Sequence, residues 1–320
     1  MIFHRRKTCF ERYYVILSVF FLLVFVPLIA GCTSYTAIKK KTKKITQKLT
    51  GSDGALKKKI GIVLFDNKTS FTDQDFEEVF HAHLVETVKE ACPDMLLLKP
   101  GDEGYPDIFI TLPKKLSGRI DGLALAKTGR LLGLNAIVTG SLMDVRDDEE
   151  ERGILWFKDS HRFIQVQAMA EVYDAETGAK LVDKSFINEI DIEDLDTESM
   201  ESKKEVDVTF VAGAIGRLAT DIGESICRAV KRQPWRGYVI STSGDMVILS
   251  SGEKVGLKPG DILDVHDSGN IIHGMEDEQF FIPGLKTGEI KITVVHPESA
   301  EAVISSGEKI ESGSSVRPKK

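Results

Sequence analysis

The 320-residue chain predicts an α/β domain, a mixed sheet with helices on one face, followed by a small all-β barrel or sandwich. Three observations carry this. Apolar runs of strand length alternate with helically spaced segments as far as Arg232. Two long alternating runs are joined by the turn Asp174-Ala175-Glu176-Thr177-Gly178. After Pro234-Trp235 helix formers vanish, and short strands alternate with glycine turns. The expected layout is a signal segment (1–31), a lysine-rich tether (32–58), the α/β domain (59–232) and the β domain (233–320).

In chain order, the basic cluster Arg5-Arg6-Lys7 precedes an apolar run from Val15 to Ala30, which ends in Leu28-Ile29-Ala30-Gly31-Cys32. Basic start, apolar middle and small residues before a cysteine make a signal peptide, with cleavage between Gly31 and Cys32. An uncleaved span is the rival reading, since Tyr13 to Ala30 approaches the roughly 20 residues a helix needs to cross. Pro27 and the Ala-Gly-Cys that follows argue against it. The site resembles the lipobox of Gram-negative lipoproteins. That resemblance implies lipid on Cys32, attachment to the membrane through that lipid, and export to the outer membrane's periplasmic face, because Thr33 stands where a retention aspartate would.

Removing residues 1–31 takes away Arg5, Arg6, Lys7, Arg12 and Glu11, which moves the net charge from −7 to −10. So acidic a chain is a poor partner for nucleic acid. Thr33 to Lys59 holds nine lysines against Asp53, a tether that either presses on anionic headgroups or stays solvated. Cys92 and Cys227 could pair in an oxidising compartment, and each also sits among apolar residues where a buried thiol would do.

Ile60 to Phe65 reads as a buried strand ended by Asp66-Asn67. A helix capped by Thr72 carries Phe76, Val79, Phe80, Leu84 and Val88 on one face and stops at Pro93. Met95 to Leu98 is a short strand. Ser117 opens a second helix with Ile120, Leu123, Ala124 and Leu131 in register, closed at Gly133. Strands follow at Leu134 to Leu142, Arg162 to Tyr173 and Ala179 to Ile190, and the acidic stretch Arg146 to Arg152 is read as a connection. A third helix from Val208 to Val230 places Ile215, Leu218 and Ile222 on its apolar face. In the β domain the expected strands are Arg236 to Thr242, Met246 to Ser250, Asp261 to His266, Thr287 to Val295 and Ala300 to Ile304.

The run Leu131-Leu132-Gly133-Leu134-Asn135-Ala136-Ile137-Val138-Thr139-Gly140-Ser141, with the Asp174 to Gly178 turn, resembles the periplasmic α/β domain of three groups. These are the curli-secretion lipoprotein CsgG, the amino-terminal domain of TolB and the middle domain of the flagellar ring protein FlgT. Trp235 to Ile240 and Val255-Gly256-Leu257-Lys258-Pro259-Gly260-Asp261 are similar to the carboxy-terminal domain of FlgT. The resemblance implies a non-enzymatic envelope protein that binds other envelope proteins and assembles, often as a homo-oligomeric ring. Membrane hairpins of the curli channel are not expected, since Asp147 to Glu151 and Glu189 to Glu201 are too acidic to face lipid. The flagellar protein carries no lipid anchor, so a flagellar role is not simply inherited.

No cofactor or metal is called for. His81 and His83 lie two positions apart on a helix, about 200° around it, and cannot share one ion. His83 is expected in the core. Clustered acids from Asp191 to Glu201 match no calcium-loop spacing. Gly256 and Gly260 read as positive-φ turn positions with Asp261 closing the turn. A peptide-binding PDZ domain shares that motif but needs a helix after Trp235, where none is expected. Acidic loops, the Ile215, Leu218 and Ile222 face, and edges of the β domain are the expected contact surfaces.

Overall fold

The structure, a computed structural model, describes residues 56–70, 76–154, 156–191, 208–267 and 269–319. Cys32, Gly31, Thr72 and the acids from 192 to 201 lie outside them. A six-stranded sheet runs in the order β3 (Met95–Leu98), β1 (Lys58–Ile62), β4 (Ala136–Ile154), β5 (Phe157–Asp174), β6 (Lys180–Asp191), and β2 (Asp66–Asn67) adds to β4. β1 is parallel to β3 and β4, and the β4–β5 and β5–β6 pairs are antiparallel.

Side chains alternate across the sheet, and each face finds its own cover. Ile60, Ile62, Ala136, Val138, Val166 and Val172 face α1 (Phe76–Ala91) and α3 (Val208–Lys231). On the opposite face Ile137, Tyr173 and Val63 pack with Leu125 and Leu134 around α2 (Gly122–Leu131). The two helices of the first layer are bridged by a disulfide between the buried Cys92 and Cys227, with a Cα–Cα distance of 6.0 Å. No described helix is long and apolar enough to cross a membrane.

The second half is a closed barrel in the order β12 (Lys286–Val295), β13 (Ala300–Gly307), β8 (Met246–Leu249), β7 (Gly237–Ser243), β14 (Ser315–Pro318), β9 (Ile262–His266). Val239, Val247, Leu249, Val265, Ile290 and Val316 fill it. A small hairpin, β10 (Ile271–His273) with β11 (Gln279–Phe281), stands beside the barrel.

Several sequence expectations change. Arg146 to Arg152 is strand and not connection: β4 continues to Ile154 and pairs with β5 to the tip. Glu149 sits opposite Arg162, so the neighbouring strand brings a charge that the run lacks alone. α2 starts at Gly122, not Ser117, because the Asp121 side chain caps it by accepting from Ala124 N–H at 3.1 Å. The last lysines of the tether belong to the fold, since Lys58 Nζ donates to the final carbonyls of α3, Val230 O at 2.9 Å and Lys231 O at 3.0 Å. Ile215, Leu218 and Ile222 are fully buried against the sheet and present no contact surface. Closure of the barrel likewise leaves its six strands no open edge for a partner. His83 is exposed, whereas His81 is the half-buried histidine; burial, with the Lys99 charge adding to it, lowers the His81 pKa from its ordinary value.

Candidate functional site

Two features stand where the α/β domain meets the barrel: a buried ionic junction and a cleft. The junction grows from the turn after β5. Thr177 Oγ1 donates to Asp174 Oδ2 at 2.8 Å, and Gly178, at φ 78°, lets the chain reverse against the Gly122 carbonyl. This fixes Glu176 pointing at the barrel, where it is wholly buried. Its carboxylate meets Arg236 Nε at 2.6 Å and Arg317 Nη2 at 2.7 Å, and accepts from Ser315 Oγ at 3.0 Å. Arg236 also holds Asp174 at 2.8 Å. Asn135 stitches the same seam, accepting from Lys59 N–H at 3.1 Å and donating to Arg236 O at 3.1 Å.

Arg130 of α2 completes the junction. It donates to the Glu176 carbonyl and lies 3.7 Å above the centroid of the Phe281 ring. Burial lowers its pKa, with Tyr238, Glu176 and Asp174 pulling the other way. Burial, then the Asp174 charge, raises that of Tyr238, whose hydroxyl has no hydrogen-bond partner among the described residues. Gly133, at φ 67°, brings the end of α2 so close to the barrel that a Cβ there would stand 1.9 Å from Ser250 O. Carboxylates matched to guanidiniums in a closed seam set the relation of two domains; they offer no open position for a substrate.

The cleft, about 1190 Å³, opens over β4 and β5, with Glu77 of α1 at its lining. Its floor is Gly140, Ser141, Met169, Glu171 and Tyr173, with Lys180 and Asp183 at the rim. One wall is the loop from Pro100 to Ile120, and the other is the β10–β11 hairpin through Glu278 and Phe280. Arg119 joins the walls, meeting Glu276 at 2.8 Å and Glu278 at 3.3 Å. On the floor Glu171 accepts from Tyr173 Oη at 3.0 Å and Thr139 Oγ1 at 3.4 Å and pairs with Lys180, which also meets Asp183 at 2.9 Å. Burial, then the Glu171 charge, raises the Tyr173 pKa, so the phenol is a hydrogen-bond donor at neutral pH and not a base. Such a floor can grip a ligand by its shape and through the polar groups of Tyr173, Lys180 and Asp183. Among the described residues no group of three His, Cys, Asp or Glu is placed to hold a metal ion.

Of the residues singled out in the sequence, Gly256 and Gly260 stand at φ 100° and 96° in the barrel. Lys258 N–H donates to Asp261 Oδ2 at 2.8 Å, which closes the turn between them. These three lie apart from the cleft lining. The sequence reading missed Glu176, Arg236 and Arg130. Its one available signal was Glu176, a charged residue at the centre of a turn already picked out.

No protein-family model matches the chain, and no curated protein does. Among solved structures it is similar to a hypothetical protein from Chlamydia trachomatis, at 13% identity and a TM-score of 0.37 over 55% of this chain and 99% of that one. It is similar also to the PelC dodecamer from Paraburkholderia phytofirmans, at 12% identity and 0.29 over 53% and 92%. A third is a lipoprotein from Neisseria meningitidis, at 14% and 0.29 over 53% and 99%. Likenesses this distant carry no argument about the role of the chain.

Proposed function

We propose that the chain is a non-enzymatic outer-membrane lipoprotein that acts as a scaffold or accessory factor in cell-envelope assembly, such as secretion or surface-appendage biogenesis. One observation carries the reading: Leu28-Ile29-Ala30-Gly31-Cys32 closes an apolar run behind Arg5-Arg6-Lys7. Lipid on Cys32 fixes the chain to the membrane, the lysine-rich tether sets its reach, and the folded part presents surfaces for other envelope proteins. The matched carboxylates of the junction and the hydrogen-bonded floor of the cleft suit a binding protein better than an enzyme.

A curli-type channel fits less well. The β4–β5 arm has acids on both faces, Asp148 and Glu150 on one and Glu149 and Glu151 on the other, and a lipid-facing strand needs one apolar face. A flagellar ring component has the Leu131 to Ser141 run and the barrel's motif in its favour and the lipid anchor expected at Cys32 against it. The test is fractionation of envelope membranes on a density gradient, with Cys32→Ser as control. The wild-type chain is expected in the outer-membrane fraction and the variant outside it; a wild-type chain in the soluble fraction would contradict the proposal.

A further inference from the structure

The cleft over β4 and β5 is larger than a small metabolite needs: about 1190 Å³, against the roughly 300–1,000 Å³ of pockets that enclose drug-sized ligands. Much of its lining is apolar. Gly140 has no side chain, so the Phe65 ring lies against β4 where a Cβ would stand 2.2 Å from it. Met169, Phe109 and Phe280 add to that surface. Two further lining side chains are left to water, Ile110 at 74% exposure and Leu64 at 41%. Apolar surface gathered in a concavity and open to water marks a place that a ligand covers.

The polar groups of the lining are engaged with one another. Glu171 accepts from the Tyr173 and Thr139 hydroxyls, Glu77 accepts from Asn67 Nδ2 at 3.1 Å, and Tyr105 Oη donates to Ile62 O at 3.3 Å. A peptide laid in the cleft would bring an N–H and a C=O with nearly every residue and find few partners for them, and each one buried without a partner is costly. An acyl chain brings none. We propose that the cleft takes the acyl chain of a lipid, its apolar length covering Leu64, Phe65, Ile110, Met169 and Phe280, with the polar headgroup at the rim beside Lys180 and Asp183. These two stand 2.9 Å apart with opposite charges, so they can meet the phosphate and the ammonium of a zwitterionic headgroup. The bound lipid is a ligand, separate from the lipid expected on Cys32, and the inference does not rest on that anchor.

Photocrosslinking of the full-length chain in envelope membranes, with no detergent present to compete, tests this. Two probes are supplied, a phosphatidylethanolamine with a diazirine in one acyl chain and a free fatty acid with the same group, and labelled peptides are read by mass spectrometry. Label is expected on the peptides that carry Leu64 and Phe65, Ile110, Met169 and Phe280; the probe that gives it tells membrane lipid from free acid as the source. Ile110→Asp puts a charge on the apolar lining at a largely exposed position, so it should keep the parent's thermal midpoint and lower the cleft label about tenfold, whereas Ile110→Met should keep the label. Benzoylphenylalanine in place of Thr111, an exposed residue of the lining, should capture lipid. No cleft label from either probe, label confined to residues 33–59, an Ile110→Asp chain labelled like its parent, or a polypeptide captured at position 111 would overturn the inference.

Discussion

Replacing Glu176 by alanine tests whether the ionic junction holds the two domains in one folded unit. The side chain is fully buried, and its removal leaves Arg236 Nε, Arg317 Nη2 and Ser315 Oγ without their shared acceptor. Breaking a buried ion pair from one side costs about 3–5 kcal/mol. Two features place this case at the lower end. Arg236 keeps Asp174 at 2.8 Å, and the Arg317 side chain is 30% exposed, so water can take over part of its solvation. The expected loss is therefore about 3 kcal/mol. Glu176→Gln keeps the volume and one acceptor oxygen but sets an amide N–H₂ against a guanidinium, and should lose about 2 kcal/mol. The assay is urea unfolding followed by circular dichroism and by the fluorescence of Trp235, which is buried at the start of the barrel. A loss below about 1 kcal/mol for Glu176→Ala would refute the reasoning, because it would mean that the seam rehydrates freely.

Other expectations follow from single features. Gly133→Ala should destabilise by about 3 kcal/mol, combining a left-handed φ of 67° with overpacking against Ser250 O, whereas Gly104→Ala, at φ 79° with nothing near it, should cost only about 1 kcal/mol; thermal melts of the two variants compare them. Removing the Cys92–Cys227 disulfide by double alanine substitution should cost about 5 kcal/mol in the chain-entropy description, since it closes 135 residues; unchanged unfolding would contradict a bridge. His81 has its pKa lowered in the fold, so the unfolded chain takes up its proton first as pH falls. The stability due to the neutral ring is present above about pH 6.5 and is lost as pH falls from there through the folded pKa, a slope that His81→Gln should flatten in denaturation series at several pH values.

Much of the fold was legible because burial leaves a periodic trace. Phe76, Phe80, Leu84 and Val88 repeat at helical spacing and are buried together, and the alternation through β5 separates its two faces. What escaped had no such trace. Asp147 to Glu151 carries no apolar alternation, and its strand state depends on residues of β5 opposite it, which a reading along the chain does not see. β14 closes the barrel with only Ser315–Pro318, too short for a period to register. The junction was hidden for a related reason. Glu176, Arg130, Arg236 and Arg317 are ordinary surface residue types, and only the packing of distant segments turns them into a buried set. Gly133 was visible as a helix stop, but not as the point where the barrel presses on the sheet domain.

The claim on which the account chiefly rests is that the mature chain starts at a lipid-bearing Cys32. Intact-mass and peptide mass spectrometry of the protein extracted from membranes measures this directly. Residues 1–31 are expected to be absent and Cys32 to be the first residue, heavier than cysteine by its acyl chains. A chain that keeps residues 1–31, or one with an unmodified Cys32, would contradict it.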